Sequence, residues 1–262
     1  MGKKWVKDRK REQYYKLAKR EHYRSRAAFK LKQMNKKFKL LKRGNIAVDL
    51  GAAPGGWMQV VRKVVGERGF VLGVDLEKIA PFEGENVATL QGDITDGETI
   101  EKINDVLPRK ADVVISDASP DISGVWDIDH FRSIDLARNA LEIAKNILSP
   151  GGNFLVKVFQ GSEVEKFKEE LKREFEFVKV LKPRASRDKS SEIYLLGKGF
   201  LKTPVRVGDE LEVTIESIGK DGDGVCILKG FPLFVKDAKM GESLKVKVKK
   251  VTNRFAKGVP ID

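Results

Sequence analysis

The 262-residue chain has very little of the chemistry that cysteine and histidine provide. It contains one cysteine, Cys226, and two histidines, His22 and His130. A single cysteine excludes a disulfide framework and makes a zinc cage of thiolates nearly impossible. Two histidines are a poor basis for imidazole catalysis, and nothing else in the sequence demands a metal. We therefore expect neither a metal centre nor histidine-based chemistry.

Long hydrophobic runs are also missing. No stretch approaches the roughly 20 apolar residues that span a bilayer. Residues 1–16 are charged and have no apolar core of a secretory signal. The hydrophobic fraction is nevertheless 41%, which excludes a wholly disordered chain. These features predict a folded, cytoplasmic protein with no membrane partner, and no obligatory protein partner is evident.

Positive charge is abundant, but it is concentrated at one end of the chain. The net charge is +13, and residues 1–43 hold 18 Lys and Arg but only 3 Asp and Glu. The rest of the chain holds 33 basic and 35 acidic residues. Such asymmetry indicates a polyanionic partner, either a nucleic acid or an acidic membrane surface. We favour nucleic acid, because no amphipathic helix with large apolar residues accompanies the charge. The alternative is a charged helix face that contacts only solvent.

Three parts of the chain differ in their sequence pattern. Residues 1–43 predict a basic helical segment that packs on the catalytic domain. Residues 44–202 alternate buried strands with helices, which predicts an α/β domain with a mostly parallel, doubly wound sheet. Residues 203–262 contain five short strand-like runs separated by Gly and Asp turns, which predict a small five-stranded, OB-like all-β barrel.

Some local expectations are specific enough to be checked. Ser25 is the expected N-cap of the second basic helix. The longest predicted helix runs from about Asp129 to Leu148 and stops at a Ser-Pro-Gly-Gly sequence, before a strand at Asn153–Val158.

The strongest local signal is a glycine-rich turn, GAAPGG at Gly51–Gly56, between a predicted strand and a predicted helix. In open α/β sheets this is where nucleotide-like ligands bind. Its spacing is not the dinucleotide fingerprint G-x-G-x-x-G, because Gly51 is followed by Ala, Ala and Pro. It is not a Walker A loop either, because no G-K-[ST] follows. A turn without a phosphate-gripping lysine suits a ligand that has no polyphosphate.

Two carboxylates follow the next two predicted strands. Asp75 ends the second strand, where a carboxylate accepts hydrogen bonds from the two ribose hydroxyls of a nucleoside. Asp93 ends the third, where it is placed to receive an exocyclic adenine amine. Together these parts indicate adenosine without phosphates, which fits S-adenosyl-L-methionine. Each part also has a structural alternative. The glycines could form a plain tight turn, and Asp75 could cap the next helix. Trp57, directly after the turn, could belong to the core.

Two lysines and two acids form the candidate catalytic group. Asp117 ends the fourth predicted strand, and Lys157 lies within an apolar run of the fifth. Glu192 opens the last strand, and Lys30 lies on a basic helix. One lysine would take the proton from a hydroxyl nucleophile while the acids orient it. Burial would lower the pKa of Lys157 unless nearby carboxylates keep it charged. The alternative is a set of ordinary ion pairs.

Seven blocks of this chain resemble, in order and spacing, the RrmJ/FtsJ (RlmE) family of ribosomal RNA ribose 2′-O-methyltransferases. The blocks, which cover roughly residues 20–200, are RSRAAFKL, VDLGAAPGGW, GVDL, LQGDITD, ISDASPDISG, LVKVFQG and SSEIY. The resemblance implies a Rossmann-like, S-adenosylmethionine-dependent methyltransferase fold. It also implies a catalytic set of Lys30, Asp117, Lys157 and Glu192, with Lys157 as the proton acceptor, and cofactor contacts from Gly55, Trp57, Asp75, Asp93 and Asp117.

The C-terminal extension resembles a TRAM domain, a small β-barrel associated with RNA-modifying enzymes, and the combination resembles archaeal members of the family. The implied activity is methylation of a ribose 2′-hydroxyl, and the favoured target is a uridine of large-subunit (23S) ribosomal RNA. Transfer RNA ribose methylation is the alternative enzyme, and a non-catalytic RNA-binding assembly factor is the third hypothesis.

RNA contacts are expected at both ends of the chain. The basic segment would position the RNA backbone. Four aromatic residues in it would either stack on bases or pack on the α/β domain; they are Trp5, Tyr14, Tyr15 and Tyr23. The KVKVKK run at Lys245–Lys250 would present a basic strip to RNA and bury its valines.

Overall fold

The computed structural model describes residues 13–186 and 190–261. Its first sheet has seven strands: β1 (Ile46–Leu50), β2 (Phe70–Asp75), β3 (Val87–Gln91), β4 (Ala111–Ser116), β5 (Leu148–Phe159), β6 (Phe175–Leu181) and β7 (Glu192–Phe200). The helices of this part are α1 (residues 13–20), α2 (Ala28–Phe38), α3 (Gly56–Val65), α4 (Glu98–Val106), α5 (Trp126–Ile147) and α6 (Val164–Glu174). No helix among the described residues is long and apolar enough to cross a membrane.

The strand order of this sheet is β3-β2-β1-β4-β5-β7-β6. The first five strands are parallel neighbours, and β7 runs antiparallel between β5 and β6. Because β7 is reversed, its first residue, Glu192, lies at the edge where the parallel strands end. The predicted α/β methyltransferase-type fold is confirmed.

Helices cover both faces of the sheet because strand side chains alternate in direction. On one face, Val48 and Leu50 of β1 belong to a core with residues of α4, α5 and α6. On the other face, Ala47 belongs to a core with residues of α1, α2 and α3. Helix α2 contributes Ala28, Leu31 and Met34 to that core, at a spacing of three residues. The basic segment is thus packed into the α/β core.

Three local expectations are wrong. Ser25 does not cap α2, because Ala27 at the N-cap position already has helical dihedral angles and no side chain caps the helix. Helix α5 begins at Trp126, before Asp129, and ends at Ile147. Leu148 has an extended backbone and pairs with Ala111, so β5 begins five residues before the predicted Asn153.

The C-terminal part forms a second, curled sheet. Its strands are β8 (Glu210–Thr214), β9 (Ser217–Ile218), β10 (Gly224–Leu228), β11 (Phe231–Val235), β12 (Ser243–Val251) and β13 (Ala256–Pro260), in the order β8-β12-β13-β11-β10-β9. Five strands were expected, and the described residues contain six. The first strand-like run of the sequence covers residues 207–219. It pairs with β12 up to Thr214 and with β10 from Ser217, so it forms two strands, β8 and β9. By reaching both ends of the sheet, this run brings the sheet towards closure.

Candidate active site

The glycine-rich turn after β1 fits tightly against the loop after β4. Gly51 has φ +75, and a Cβ there would lie 2.6 Å from the Cα of Ala118. Only glycine combines this backbone conformation with so close an approach. The N–H groups of Gly51 and Ala52 donate to the carbonyl of Val74, at 2.8 and 3.1 Å. The turn is thereby fixed to the carboxyl end of β2.

A cleft of about 300 Å³ opens beside this turn at the carboxyl ends of β1 to β4. Asp75 lines it and organises its wall: Oδ2 accepts from the N–H of Ala53 and Oδ1 from that of Glu77, both at 2.8 Å. Asp93 also lines it and accepts through Oδ1 from both the N–H and the hydroxyl of Thr95, at 2.8 Å. The remaining lining residues are Gly51, Ala53, Leu76, Glu77, Gly92, Ile94, Asp117, Ala118, Ser119 and Leu136.

The charge of the cleft restricts its ligand. Four carboxylates line it, and in the described part of the chain no lysine or arginine does. Such a surface disfavours a polyphosphate and favours a ligand with positive charge. S-adenosylmethionine carries a sulfonium and an ammonium group, and its adenosine has hydroxyl and amino donors for carboxylates. The residues of the cleft therefore fit this cofactor.

The other two expected cofactor residues lie behind the cleft. Trp57 is buried, its indole N–H donates to the carbonyl of Ala27 at 2.8 Å, and its ring lies 5.9 Å from that of Tyr194. Gly55 has φ +104, and a Cβ there would meet Phe82 at 2.8 Å. Both residues stay predictions as cofactor contacts; in the structure they connect the turn to its surroundings.

Arg24 is a residue of this region that the sequence reasoning missed. Its guanidinium donates to the carbonyls of Pro54, Ala80 and Pro81, at 3.2, 2.7 and 2.6 Å, and it stacks on the ring of Phe82 at 3.8 Å. Arg24 thus connects the basic segment to two of the loops around the cleft, those after β1 and β2. Its place in the RSRAAFKL block, six residues before Lys30, was the available signal.

The four predicted catalytic residues meet at one point of the sheet edge. The Lys30 ammonium lies 2.7 Å from Glu192 Oε1 and 3.7 Å from Asp117 Oδ2. The Lys157 ammonium donates to the Asp117 carbonyl at 2.7 Å and lies 3.6 Å from Asp117 Oδ1. Lys157 is 8% exposed. Asp117 also lines the cofactor cleft, so the cluster borders the cleft directly.

Tyr194 is a second missed residue, and it lies at the centre of this cluster. Its hydroxyl contacts Asp117 Oδ1 at 2.7 Å and Glu192 Oε1 at 3.1 Å. Burial, together with the charges of these two carboxylates, raises the pKa of Tyr194 well above its usual value. The phenol therefore stays protonated and serves as a hydrogen-bond donor to these carboxylates.

Glu192 stays ionised for a different reason. Burial alone would raise the pKa of Glu192, but the nearby Lys30 ammonium and its hydrogen bond outweigh burial, with further help from Lys157 and Ser186. The net effect lowers the pKa. The Lys30 amine is thus engaged in a short, charged contact, whereas the closest acceptor of Lys157 is a neutral carbonyl.

Asp49 of β1 is a buried carboxyl group below the glycine-rich turn. It is 1% exposed, and among the described residues neither carboxyl oxygen has a hydrogen-bond partner of good geometry. Burial, followed by the charges of Asp117 and Asp75, raises its pKa well above the usual value and outweighs the lowering effect of the Met58 backbone N–H. The folded state therefore favours the neutral form of the Asp49 carboxyl group. Its contribution to stability is fully present below the pKa that Asp49 has in the unfolded chain, and it is lost as pH rises through the higher folded-state pKa.

We expect Asp49→Asn to gain stability relative to the wild type as pH increases. At pH 4 both proteins hold an uncharged group at this position, but at pH 8 only the wild type must keep an ionisable carboxyl group neutral. Thermal unfolding of both proteins between these pH values measures the effect. A stability difference that does not change with pH would contradict the assignment.

A basic groove of about 750 Å³ runs between α2 and the end of β6. Its cations are Lys36, Lys37, Lys179, Lys182 and Arg184, and none of the described residues that line it is acidic. It lies along the helix that carries Lys30, so a polyanion bound there would extend to the catalytic cluster. Charge and position suit the phosphates of a nucleic acid.

The expected aromatic and basic RNA contacts have mixed outcomes. Tyr14 and Tyr23 pack on Phe29, with ring centroids 5.6 and 5.7 Å apart, which supports the packing alternative. Tyr15 is exposed, and Trp5 lies outside the described residues.

In the barrel, the valines of the KVKVKK run are buried as predicted. Two of its lysines, Lys245 and Lys247, lie 3.1 and 3.0 Å from Glu210, which reduces the basic strip. Among the described residues, no group of three or more His, Cys, Asp or Glu side chains could hold a metal ion.

Comparison with known proteins agrees with this geometry. The FtsJ-like methyltransferase family matches residues 23–200, and the TRAM domain matches residues 204–261. Ribosomal RNA large subunit methyltransferase E of Methanothrix thermoacetophila is 54% identical over 246 residues, which cover 94% of this chain and 95% of that protein. The protein of the same name from Halorubrum lacusprofundi is 45% identical, over 96% of this chain and 94% of that protein.

A solved structure shares the larger part of the fold. A ribosomal RNA methyltransferase from Plasmodium falciparum is 31% identical, with a TM-score of 0.60 over 68% of this chain and 98% of that chain. Together with the family match over more than half of the sequence and the two archaeal relatives, it confirms the resemblance found from the sequence: the chain belongs to the FtsJ-like methyltransferase family and carries a TRAM domain at its C-terminal end.

Proposed function

We propose that this protein transfers a methyl group from S-adenosyl-L-methionine to a ribose 2′-hydroxyl of RNA, namely a uridine of large-subunit (23S) ribosomal RNA. The observation that carries the proposal is the meeting of Lys30, Asp117, Lys157 and Glu192 beside an acidic cleft without cations. The names of the relatives, which are ribosomal RNA large subunit methyltransferases, support the ribosomal target.

Lys157 is the proposed general base. The neutral amine takes the 2′-hydroxyl proton while the oxygen forms a bond to the methyl carbon. When bound, S-adenosylmethionine supplies an electrophilic methyl group whose bond to sulfur breaks in the same step. Lys30 and Glu192 orient the hydroxyl, and Asp117 holds Lys157 close to the cleft. Catalysis then depends mainly on positioning and on one proton transfer.

RNA suits this arrangement better than DNA, because DNA lacks the 2′-hydroxyl. In our proposal the phosphates lie in the basic groove beside α2, and the C-terminal barrel adds contacts further along the RNA. We keep the division into residues 1–43, 44–202 and 203–262 as a functional proposal: an RNA-positioning segment, a catalytic domain and an RNA-binding barrel. A ribosomal substrate would place the enzyme in the cytoplasm.

Methyl transfer from labelled S-adenosylmethionine tests the proposal. Isolated large ribosomal subunits, free 23S RNA and transfer RNA are offered in parallel, and the product is mapped by mass spectrometry. We expect one 2′-O-methyluridine in the large-subunit RNA, either in the particle or in free RNA. Label in transfer RNA alone would keep the chemistry but overturn the target. Cofactor binding without transfer to any RNA would favour an assembly factor.

A further inference from the structure

Exposed apolar side chains form a patch at the carboxyl edge of the large sheet. Three of them lie on the loop between β4 and α5 and on the first turn of α5: Ile122, Val125 and Trp126 are 69%, 54% and 49% exposed. Trp126 stacks on Phe159, the last residue of β5, with ring centroids 6.4 Å apart and an interplanar angle of 26°. Neither the cofactor cleft nor the proton transfer uses these residues. Clustered apolar surface of this kind marks a binding site.

The patch borders the catalytic cluster. Phe159 follows Lys157 by two residues on β5, so the two residues share one face of the strand and their Cα atoms are about 6.6 Å apart. The loop that carries Ile122 and Val125 begins directly after Asp117. Helix α5 packs on one face of the sheet and α2 on the other. Trp126 thus belongs to the helix layer on one face of the sheet, and the basic groove lies along the helix layer on the other.

Charge indicates which part of an RNA this patch would contact. The exposed charges of its loop and of the start of α5 are Asp121, Asp127 and Arg132, and the arginine donates to the Asp121 carbonyl at 3.4 Å. Such a surface repels phosphates. A flat, half-exposed indole, by contrast, offers a π face to an unpaired base, and stacking needs no positive charge.

We propose that Trp126, supported by Phe159 and flanked by Ile122 and Val125, is a stacking platform for an unpaired nucleobase next to the target ribose. This inference rests on the proposed function, because it takes RNA as the substrate. The phosphates lie in the basic groove, and the neighbouring base lies on Trp126. Held at both sides, the intervening ribose presents its 2′-hydroxyl to Lys157. The platform thereby selects sites whose flanking base is free to leave its stack.

The test combines protein variants with RNA variants. Full-length enzyme is titrated with the shortest fragment of large-subunit RNA that it binds, and with the same RNA made abasic at each unpaired nucleotide in turn. Trp126→Ala should weaken binding of the intact RNA by about 5- to 100-fold, the usual range for one stacked base. Trp126→Phe should retain most of the affinity. Val106→Ala trims an exposed apolar side chain at the end of α4, which lines neither the cleft nor the basic groove, and should leave RNA affinity unchanged.

The decisive measurement is whether Trp126→Ala and an abasic nucleotide weaken RNA binding independently of each other. One abasic RNA should bind the wild type weakly but lose nothing more with Trp126→Ala, because both changes remove the same contact. Losses that add independently at every position would overturn the platform. A Trp126→Ala defect that appears only on assembled subunits, while free RNA binds normally, would also overturn the platform. That result would assign the patch to contact with a ribosomal protein. Affinity is read without catalysis, so a wild type that methylates no ribose overturns the proposed function separately.

Discussion

Replacing Lys157 with methionine is expected to reduce methyl transfer by about 100- to 10,000-fold, the usual contribution of a general base. Methionine has a similar length and suits the apolar surroundings of this buried position, so the fold should survive. S-adenosylmethionine affinity, measured by calorimetry, should be unchanged, because Lys157 does not line the cofactor cleft. The loss should therefore appear in kcat at saturating cofactor and RNA.

Lys198→Met is the matched control for this prediction. Lys198 also lies on the large sheet and donates to a backbone carbonyl, that of Phe38, at 3.2 Å. It lies at the opposite end of β7 from Glu192, away from the catalytic cluster. We expect its methionine variant to turn over like the wild type. Turnover near the wild-type rate in Lys157→Met would exclude Lys157 as the base.

Asp75→Ala is expected to act on the cofactor and to leave the chemical step largely unchanged. The carboxylate holds the N–H groups of Ala53 and Glu77 and faces the cleft, where we predict that it accepts from the ribose hydroxyls of the cofactor. Hydrogen bonds to a charged group contribute about 1.5–3 kcal/mol each, so losing two should raise KM for S-adenosylmethionine about 100-fold or more. At saturating cofactor, kcat should remain close to the wild-type value.

Steady-state kinetics at varied cofactor concentration, with calorimetric binding, check this split. Asp75→Asn keeps one oxygen for the Ala53 N–H and should fall between alanine and the wild type. Asp105→Asn, an exposed change on α4 that does not line the cleft, serves as the control and should have no effect. An Asp75→Ala enzyme that binds the cofactor as tightly as the wild type would remove Asp75 from the site.

The sequence predicted the carboxylates at strand ends better than the residues that hold these carboxylates and their loops in place. Asp75, Asp93 and Asp117 each follow or end an apolar run, and parallel strands bring such ends to one edge. Arg24 and Tyr194 end no strand and gave no such signal, because Arg24 acts through partners 30 or more residues away and Tyr194 reaches Asp117, 77 residues away in the chain. Trp57 likewise has a partner that the sequence did not indicate, the Ala27 carbonyl, and its cofactor contact stays a prediction.

Errors in the boundaries of elements have a similar origin. The predicted start of β5 is too late because Pro150 and the following glycines read as a break, whereas Leu148 already pairs with Ala111 and the strand resumes its pairing with β4 at Asn153 after an irregularity. The run that forms β8 and β9 was read as one strand, because a change of neighbour near Ile215 leaves no mark in a pattern of alternating residues. Both outcomes depend on tertiary pairing, which local propensity does not encode.

The packing of α1 and α2 into the core of the α/β domain affects the thermodynamics of RNA binding. A basic tail that folds only on contact would spend part of its interaction free energy on ordering its own backbone. Here the described part of the basic segment is already ordered by Leu31, Met34 and their partners, so its lysines are presented on a fixed framework. Association would then show little of the heat-capacity change that accompanies coupled folding, and its electrostatic free energy would go almost entirely into affinity.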